Sequence, residues 1–143
     1  MLAIDRGRVI TPHFIEFRKF GDHRGSLVAI EGARSLPFEI RRIYYIYGNT
    51  DCVRRGFHAH KNLKQVAIAV SGSCKFLLDN GSDKAVVELN SPDRGLLIEG
   101  HIWREMYDFT PDCVLLVLAD QVFDESDYIR NYSEFLSFVS NKD

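Results

Sequence analysis

The chain lacks most of what would anchor it in a bilayer, staple it with disulfides or draw it to nucleic acid. Among its 143 residues no apolar run is long enough to span a membrane. The opening stretch "MLAIDRGRVITPHF" has no signal-peptide core. Cysteine is scarce: Cys52, Cys74 and Cys113 are an odd number with no C-x-x-C spacing. That argues against a disulfide framework or a zinc site, and for reduced thiols in a cytoplasmic protein. An excess of one charge is missing too. The formal net charge is −2, so no global basic field recruits nucleic acid or an anionic membrane surface. Low-complexity segments and convincing internal repeats are also lacking.

What remains is the profile of an ordinary globule. Hydrophobic residues make up 45% and charged residues 27%, enough apolar surface for one core. The expected organisation is a single domain over residues 1–143, alone or as one part of a longer bifunctional chain. Short β-rich runs follow one another: "HFIEFRKF", "SLVAIEG", "FEIRRIYYIYG", "QVAIAVSG", "SCKFLLDNGSD", "KAVVELN", "LLIEG" and "DCVLLVLAD". Turn residues separate them, and Asn80-Gly81 signals a hairpin. Strands at this spacing predict a sandwich or barrel. Only "DESDYIRNYSEFLSFV" has a helical pattern, with Ile129, Tyr132, Leu136 and Val139 near helical spacing and Ser126 as the expected cap. The helix is expected on the outside of the β-fold.

The stretch "RRGFHAHKNLKQ" concentrates the chemistry. His58 and His60 stand two apart, so in a strand they share one face. The first motif of the cupin barrel has H-x-H, then a glutamate about four residues on, then a glycine. Here the spacing leads to Gln65 and Gly72, with an amide replacing the carboxylate. In the second motif, "IEGHIWREM", Trp103 falls where a ligand histidine is usual. Indole is no ligand, and an amide carbonyl is a poor one for a transition metal. The predicted site therefore has no metal and no cofactor. The imidazoles then suit proton transfer, because they titrate near neutrality.

Around the pair lie Arg54, Arg55, Lys61 and Lys64, with Arg24 and Arg104 in other segments that could reach a barrel mouth. Arg55 is the best phosphate candidate, since guanidinium holds phosphate bidentately. Alternation in "RRIYYIYG" sends Ile43, Tyr45 and Tyr47 one way, and Tyr44 and Ile46 the other. Tyr45 is the tyrosine expected to face the pocket. Trp103 is read as core or as a flat wall of a sugar or base site, and Glu105 as an orienting group for an imidazole or an arginine.

The segments "RRIYYIYG", "RGFHAHKNLKQ", "SGSCKFLLDNG", "WREMYDF", "DCVLLVLA" and "FDESDYIRNYSEFL" together resemble the sugar 3,4-ketoisomerases. These are metal-independent cupins acting on dTDP-4-keto-6-deoxy-D-glucose, and the resemblance covers nearly the whole chain. It implies an all-β cupin jelly-roll barrel with a C-terminal α-helix, and an isomerase that moves a carbonyl from C4 to C3 through an enediolate. By resemblance His58 and His60 form the acid/base pair, with His58 assigned to carbon and His60 to oxygen. Tyr45 would stabilise the enediolate oxygen. Arg55 and Arg24 would hold the pyrophosphate, and Gln65, Trp103, Arg104 and Glu105 complete the candidate substrate site. The resemblance further implies a homodimer, with an exchanged N-terminal strand in many members. It implies a role in making 3-amino-3,6-dideoxy sugars for lipopolysaccharide O-antigen or other surface glycans, and some members are fused to an acetyltransferase. The "R-x-x-H" of Arg55 and His58 is also similar to the dTDP-sugar 3,5-epimerases. The competing readings are such an epimerase, a cupin that binds a nucleotide sugar without turnover, and a metal-dependent cupin.

Overall fold

The computed structural model describes residues 9–50 and 52–141. Among the described residues, alternating apolar residues build twelve strands: β1 (His13–Glu16), β2 (Lys19–Asp22), β3 (Gly25–Val28), β4 (Arg42–Tyr47), β5 (Arg55–His60), β6 (Gln65–Ser71), β7 (Cys74–Asp79), β8 (Lys84–Leu89), β9 (Arg94–Ile98), β10 (Trp103–Tyr107), β11 (Val114–Ala119) and β12 (Tyr128–Ile129). Two five-stranded sheets result, ordered β1-β9-β6-β11-β4 and β12-β5-β10-β7-β8. All pairs are antiparallel, and β2 and β3 form a separate hairpin. This is the predicted jelly roll, and the strand reading from sequence holds. So does the Asn80-Gly81 turn: β7 and β8 pair across it, and Gly81 takes φ +93°, which glycine adopts without strain.

The main core lies between the sheets, where Ala67, Ala69, Phe76, Leu78, Leu89, Leu96, Leu115 and Val117 interlock. A second cluster, including Phe17, Leu36, Phe38, Ile68 and Leu118, covers the outer face of the first sheet. A third lies outside the second sheet. There helix α1 (Tyr132–Ser140) lays Phe135 and Val139 over Ala59, Trp103 and Ile129.

The start of that helix differs from the expectation. Asp124, not Ser126, leads the segment. It caps a 3-10 turn, Glu125–Asp127, by accepting from the Ser126 N–H. Ile129 belongs to β12, because the edge of β5 takes it up as a partner: Tyr128 pairs with His60 and Ile129 with Ala59. Helix α1 begins only at Tyr132, where the Asn131 side chain accepts from the Glu134 N–H at 3.0 Å. No described helix is long and apolar enough to cross a membrane.

The register sorts the barrel interior into layers. In the first sheet Gln65 lies opposite Ile98 and Ala119, Ala67 opposite Leu96 and Val117, and Ala69 opposite Leu115. In the second, Arg104 lies opposite His58 and Leu78, and Met106 opposite Arg55 and Phe76. Polar side chains therefore gather in one end of the interior, and aliphatic and aromatic ones fill the other.

Candidate active site

Strand β5 places both histidines inward, helped by a bulge. The pairing with β10 shifts between Arg104 and Glu105, and the backbone turns left-handed at Gly56 (φ +92°) and Phe57 (φ +57°). A β-carbon on Gly56 would stand 2.8 Å from the Arg104 carbonyl oxygen, so only glycine fits the crossing. Beyond the bulge the rings of His58 and His60 meet edge to face with centroids 4.9 Å apart. Tyr128, carried in by β12, lies against both, at 5.1 Å from His58 and 4.4 Å from His60. Arg130 stacks over the Tyr128 ring at 4.1 Å and pairs with Glu125.

His60 is fully buried. Its Nδ1 stands 3.0 Å from Asp127 Oδ2, while its Nε2 has no partner among the described residues. Burial, then the nearby Arg104 charge, push His60 down to about 2 and His58 down to about 4. Both imidazoles are therefore neutral at neutral pH, and each has a lone pair.

Arg104 carries the positive charge. Its guanidinium is buried, donates from Nη1 to Gln65 Oε1 at 2.5 Å, and donates from Nη2 to the Ile102 carbonyl at 3.0 Å. It forms no salt bridge with a carboxylate among the described residues, and burial lowers its pKa to about 10. The bond from Arg104 fixes the orientation of the Gln65 amide. Gln65 Nε2 then donates to the Tyr44 hydroxyl oxygen at 3.1 Å. The Tyr44 O–H is left free to donate elsewhere, and burial raises the pKa of the phenol.

Several sequence expectations change here. Tyr45 does not face the pocket; it is 62% exposed, and Tyr44 lines the interior instead. The alternation was right, but the inward set on β4 is Arg42, Tyr44 and Ile46. Trp103 is likewise outward. It packs under α1 with Phe135, and its indole N–H donates to Glu105 Oε2 at 3.0 Å. The residue facing His58 across the strand pair is Arg104, one step along, and one step in a strand reverses the face. Glu105 shares the outer face with Trp103 and orients Arg54 at 2.8 Å rather than an imidazole. Arg24 lies exposed at the β2–β3 turn, its guanidinium held by Asp22 at 2.7 Å, and does not line the cavity. Arg55 sits exposed opposite Met106, at the start of β5, on the other side of the bulge from the histidines.

The residues brought together are thus His58, His60, Gln65 and Arg104, joined by three that sequence reasoning gave no role: Tyr44, Asp127 and Tyr128. Asp127 lies 67 residues from His60, and no local pattern links the two. The interior cavity lined by Tyr44, His58, Gln65 and Arg104 is narrow, about 10 Å³, room for one water. A larger surface depression of about 540 Å³, lined by Arg41, Asp120 and Asp124 among others, contains neither imidazole. The chemistry follows the titratable groups, not the larger hollow. Among the described residues no three histidine, cysteine or carboxylate side chains are grouped to hold a metal.

Fold and site together define a cupin whose interior carries paired imidazoles, an amide and a guanidinium. More narrowly, the chain belongs to the FdtA family (WxcM-like, C-terminal), whose model matches residues 11–140. It is 47% identical over 126 residues to the TDP-4-oxo-6-deoxy-alpha-D-glucose-3,4-oxoisomerase of Aneurinibacillus thermoaerophilus, covering 88% of this chain and 91% of that one. A sugar 3,4-ketoisomerase from Thermoanaerobacterium thermosaccharolyticum, solved in complex with TDP, superposes with a TM-score of 0.89 at 44% identity, covering 92% of this chain and 96% of that one. The TDP-quinovose 3,4-ketoisomerase of Campylobacter jejuni superposes with a TM-score of 0.84 at 47% identity, over 88% of this chain and 97% of that one. The chain is an enzyme of this ketoisomerase class. A dTDP-4-dehydrorhamnose 3,5-epimerase from Bacillus anthracis, at 16% identity and a TM-score of 0.68, shares the fold alone.

Proposed function

We propose that the chain moves the carbonyl of TDP-4-keto-6-deoxy-D-glucose from C4 to C3 by histidine acid/base catalysis. The observation that carries this reading is the pair of neutral imidazoles 4.9 Å apart beside a buried arginine without a carboxylate partner among the described residues. The ketone at C4 acidifies the C3 hydrogen. His58 removes it, and the electron pair flows into the C4 oxygen as an enediolate. Arg104 and the free O–H of Tyr44 favour that charge, because fixed donors in a dry site need no reorganisation. A proton passes from the C3 oxygen to the C4 oxygen by way of His60. Reprotonation at C4 then leaves the carbonyl at C3, with atoms and charge conserved. The narrow cavity admits no hexose, so the sugar presents its C3–C4 edge at the barrel mouth. Arg55, across the bulge from the histidines, holds the pyrophosphate. The ketoisomerases named above support this reading, and so does a histidine-to-asparagine variant of the Thermoanaerobacterium thermosaccharolyticum 3,4-ketoisomerase, solved in complex with TDP-4-keto-6-deoxyglucose.

The product serves synthesis of 3-amino-3,6-dideoxy sugars for O-antigen or other surface glycans, made in the cytoplasm. No nucleic acid and no membrane takes part. The enzyme works as a homodimer, with an associated or fused acetyltransferase as a further partner. Exposed Ile43, Tyr45 and Tyr47 on the outer face of β4 support a self-association surface. Exchange of the N-terminal strand concerns a segment whose first eight residues lie outside those described; β1 itself pairs with β9 of its own chain.

Incubation with TDP-4-keto-6-deoxyglucose in D2O, followed by NMR, tests the reaction. The expected product has its carbonyl at C3 and deuterium at C4. A carbonyl that stays at C4 while C3 and C5 invert would identify an epimerase instead. A sugar recovered with no deuterium and no rearrangement would leave only a binding module.

A further inference from the structure

Asp127 stands where no acid/base role needs it, yet it is the most tightly held carboxylate beside the imidazoles. It is 8% exposed. Its Oδ1 accepts the Asn62 N–H at 2.8 Å, its backbone carbonyl accepts the Lys61 N–H at 2.9 Å, and its own N–H donates to the Asp124 carbonyl at 3.1 Å. Oδ2 is thereby aimed at His60 Nδ1, at 3.0 Å. A carboxylate can only accept, so Nδ1 carries the ring proton. In the neutral ring the lone pair then lies on Nε2, the buried atom with no partner among the described residues. The charges that weigh most on the ring besides Asp127 are those of Arg104, Arg42 and Arg130, and the rings of His58 and Tyr128 lie against it.

We propose that Asp127 is a positioning residue that locks His60 in the Nδ1–H tautomer and so presents the Nε2 lone pair to the sugar oxygens. The assignment rests on the ketoisomerase reading above. Nε2 takes the proton of the C3 oxygen and returns it to the C4 oxygen; no electrons leave the sugar. A ring flipped to Nε2–H would offer a donor where an acceptor is needed, and the transfer between oxygens would stall while proton removal at C3 by His58 continued.

The test is Asp127→Asn in the full chain. The amide oxygen still accepts from Asn62, but the amide N–H2 faces Nδ1 and reverses the tautomer. Nitrogen-15 NMR should show the His60 proton on Nδ1 in the parent and on Nε2 in the variant. Isomerisation should fall about 10²–10⁴-fold, the range expected when a catalytic imidazole loses its partner or its role. Deuterium exchange at C3 in D2O should persist, TDP binding should hold, and Asp127→Glu should recover part of the isomerisation. Parent His60 protonated on Nε2 overturns the proposal without any variant, so a misfolded Asp127→Asn leaves it decidable. Equal loss of exchange and isomerisation overturns it too. A parent that leaves the substrate unchanged would instead overturn the ketoisomerase reading, with the tautomer still read by NMR.

Discussion

The two ends of the barrel interior share the same strands and differ in what fills them. One end stacks Ala69, Leu115, Leu89 and the thiols of Cys74 and Cys113. The other holds His58, His60, Gln65, Arg104 and Tyr44 in one hydrogen-bonded and ring-stacked group. The apolar end gains from each buried methylene, and any neighbour will serve that is apolar and the right size. The polar end gains only if each buried donor meets an acceptor in the right direction. Stability is concentrated in the first end and reactivity in the second.

The sharpest way to break this comparison is His58→Asn. Isomerisation should fall about 10²–10⁴-fold, while thermal unfolding stays close to the parent. A matching loss of thermal stability would show that the polar end also carries the fold. The opposite experiment is Leu115→Ala, in the core but away from the cavity. It should cost about 2–5 kcal/mol in denaturant unfolding, with turnover per folded molecule nearly unchanged. Within one strand, Tyr44→Phe should lower kcat about 10²-fold, near what loss of one oxyanion donor costs. Tyr45→Phe should change kcat by less than about twofold, because no catalytic contact is removed. Equal effects of the two would refute the inward assignment of Tyr44.

A pH dependence confined to the polar end is a further effect. Both histidines have folded pKa values below their ordinary one, about 4 for His58 and about 2 for His60. Between the ordinary value near 6.5 and these folded values, the unfolded chain binds more protons. Stability is therefore full above about pH 6.5 and declines as the pH falls toward 4, by at most about 1.4 kcal/mol per pH unit for each ring. Denaturant melts at pH 7, 6 and 5 should show that slope, and His58→Asn should reduce it by about one proton's worth.

Legibility in the sequence follows the same division. The apolar end was readable because alternation is local: "QVAIAVSG" and "DCVLLVLAD" announce buried strands whatever they pair with. The His58/His60 pair was readable for the same reason, since two residues apart means one face. Alternation also separated Tyr44 from Tyr45, but it could not say which set turns inward, because tyrosine suits a core and a protein surface alike. Trp103 and Arg104 were both placed in the site, and only Arg104 faces it. Spacing favoured the indole, but α1 supplies an apolar cover on the outside, and the guanidinium is left to the interior. Asp127 was out of reach altogether, because its partnership with His60 depends on β12 pairing with β5.

Protein synthesis gives that last pairing a temporal meaning. A ribosome lays down β5, with both imidazoles, long before it reaches residue 127. Six further strands, β6 to β11, emerge in the meantime. A nascent barrel can close around its histidines while one of them still lacks its orienting carboxylate. Activity should therefore switch on late, when the final short strand docks, rather than growing in step with the fold.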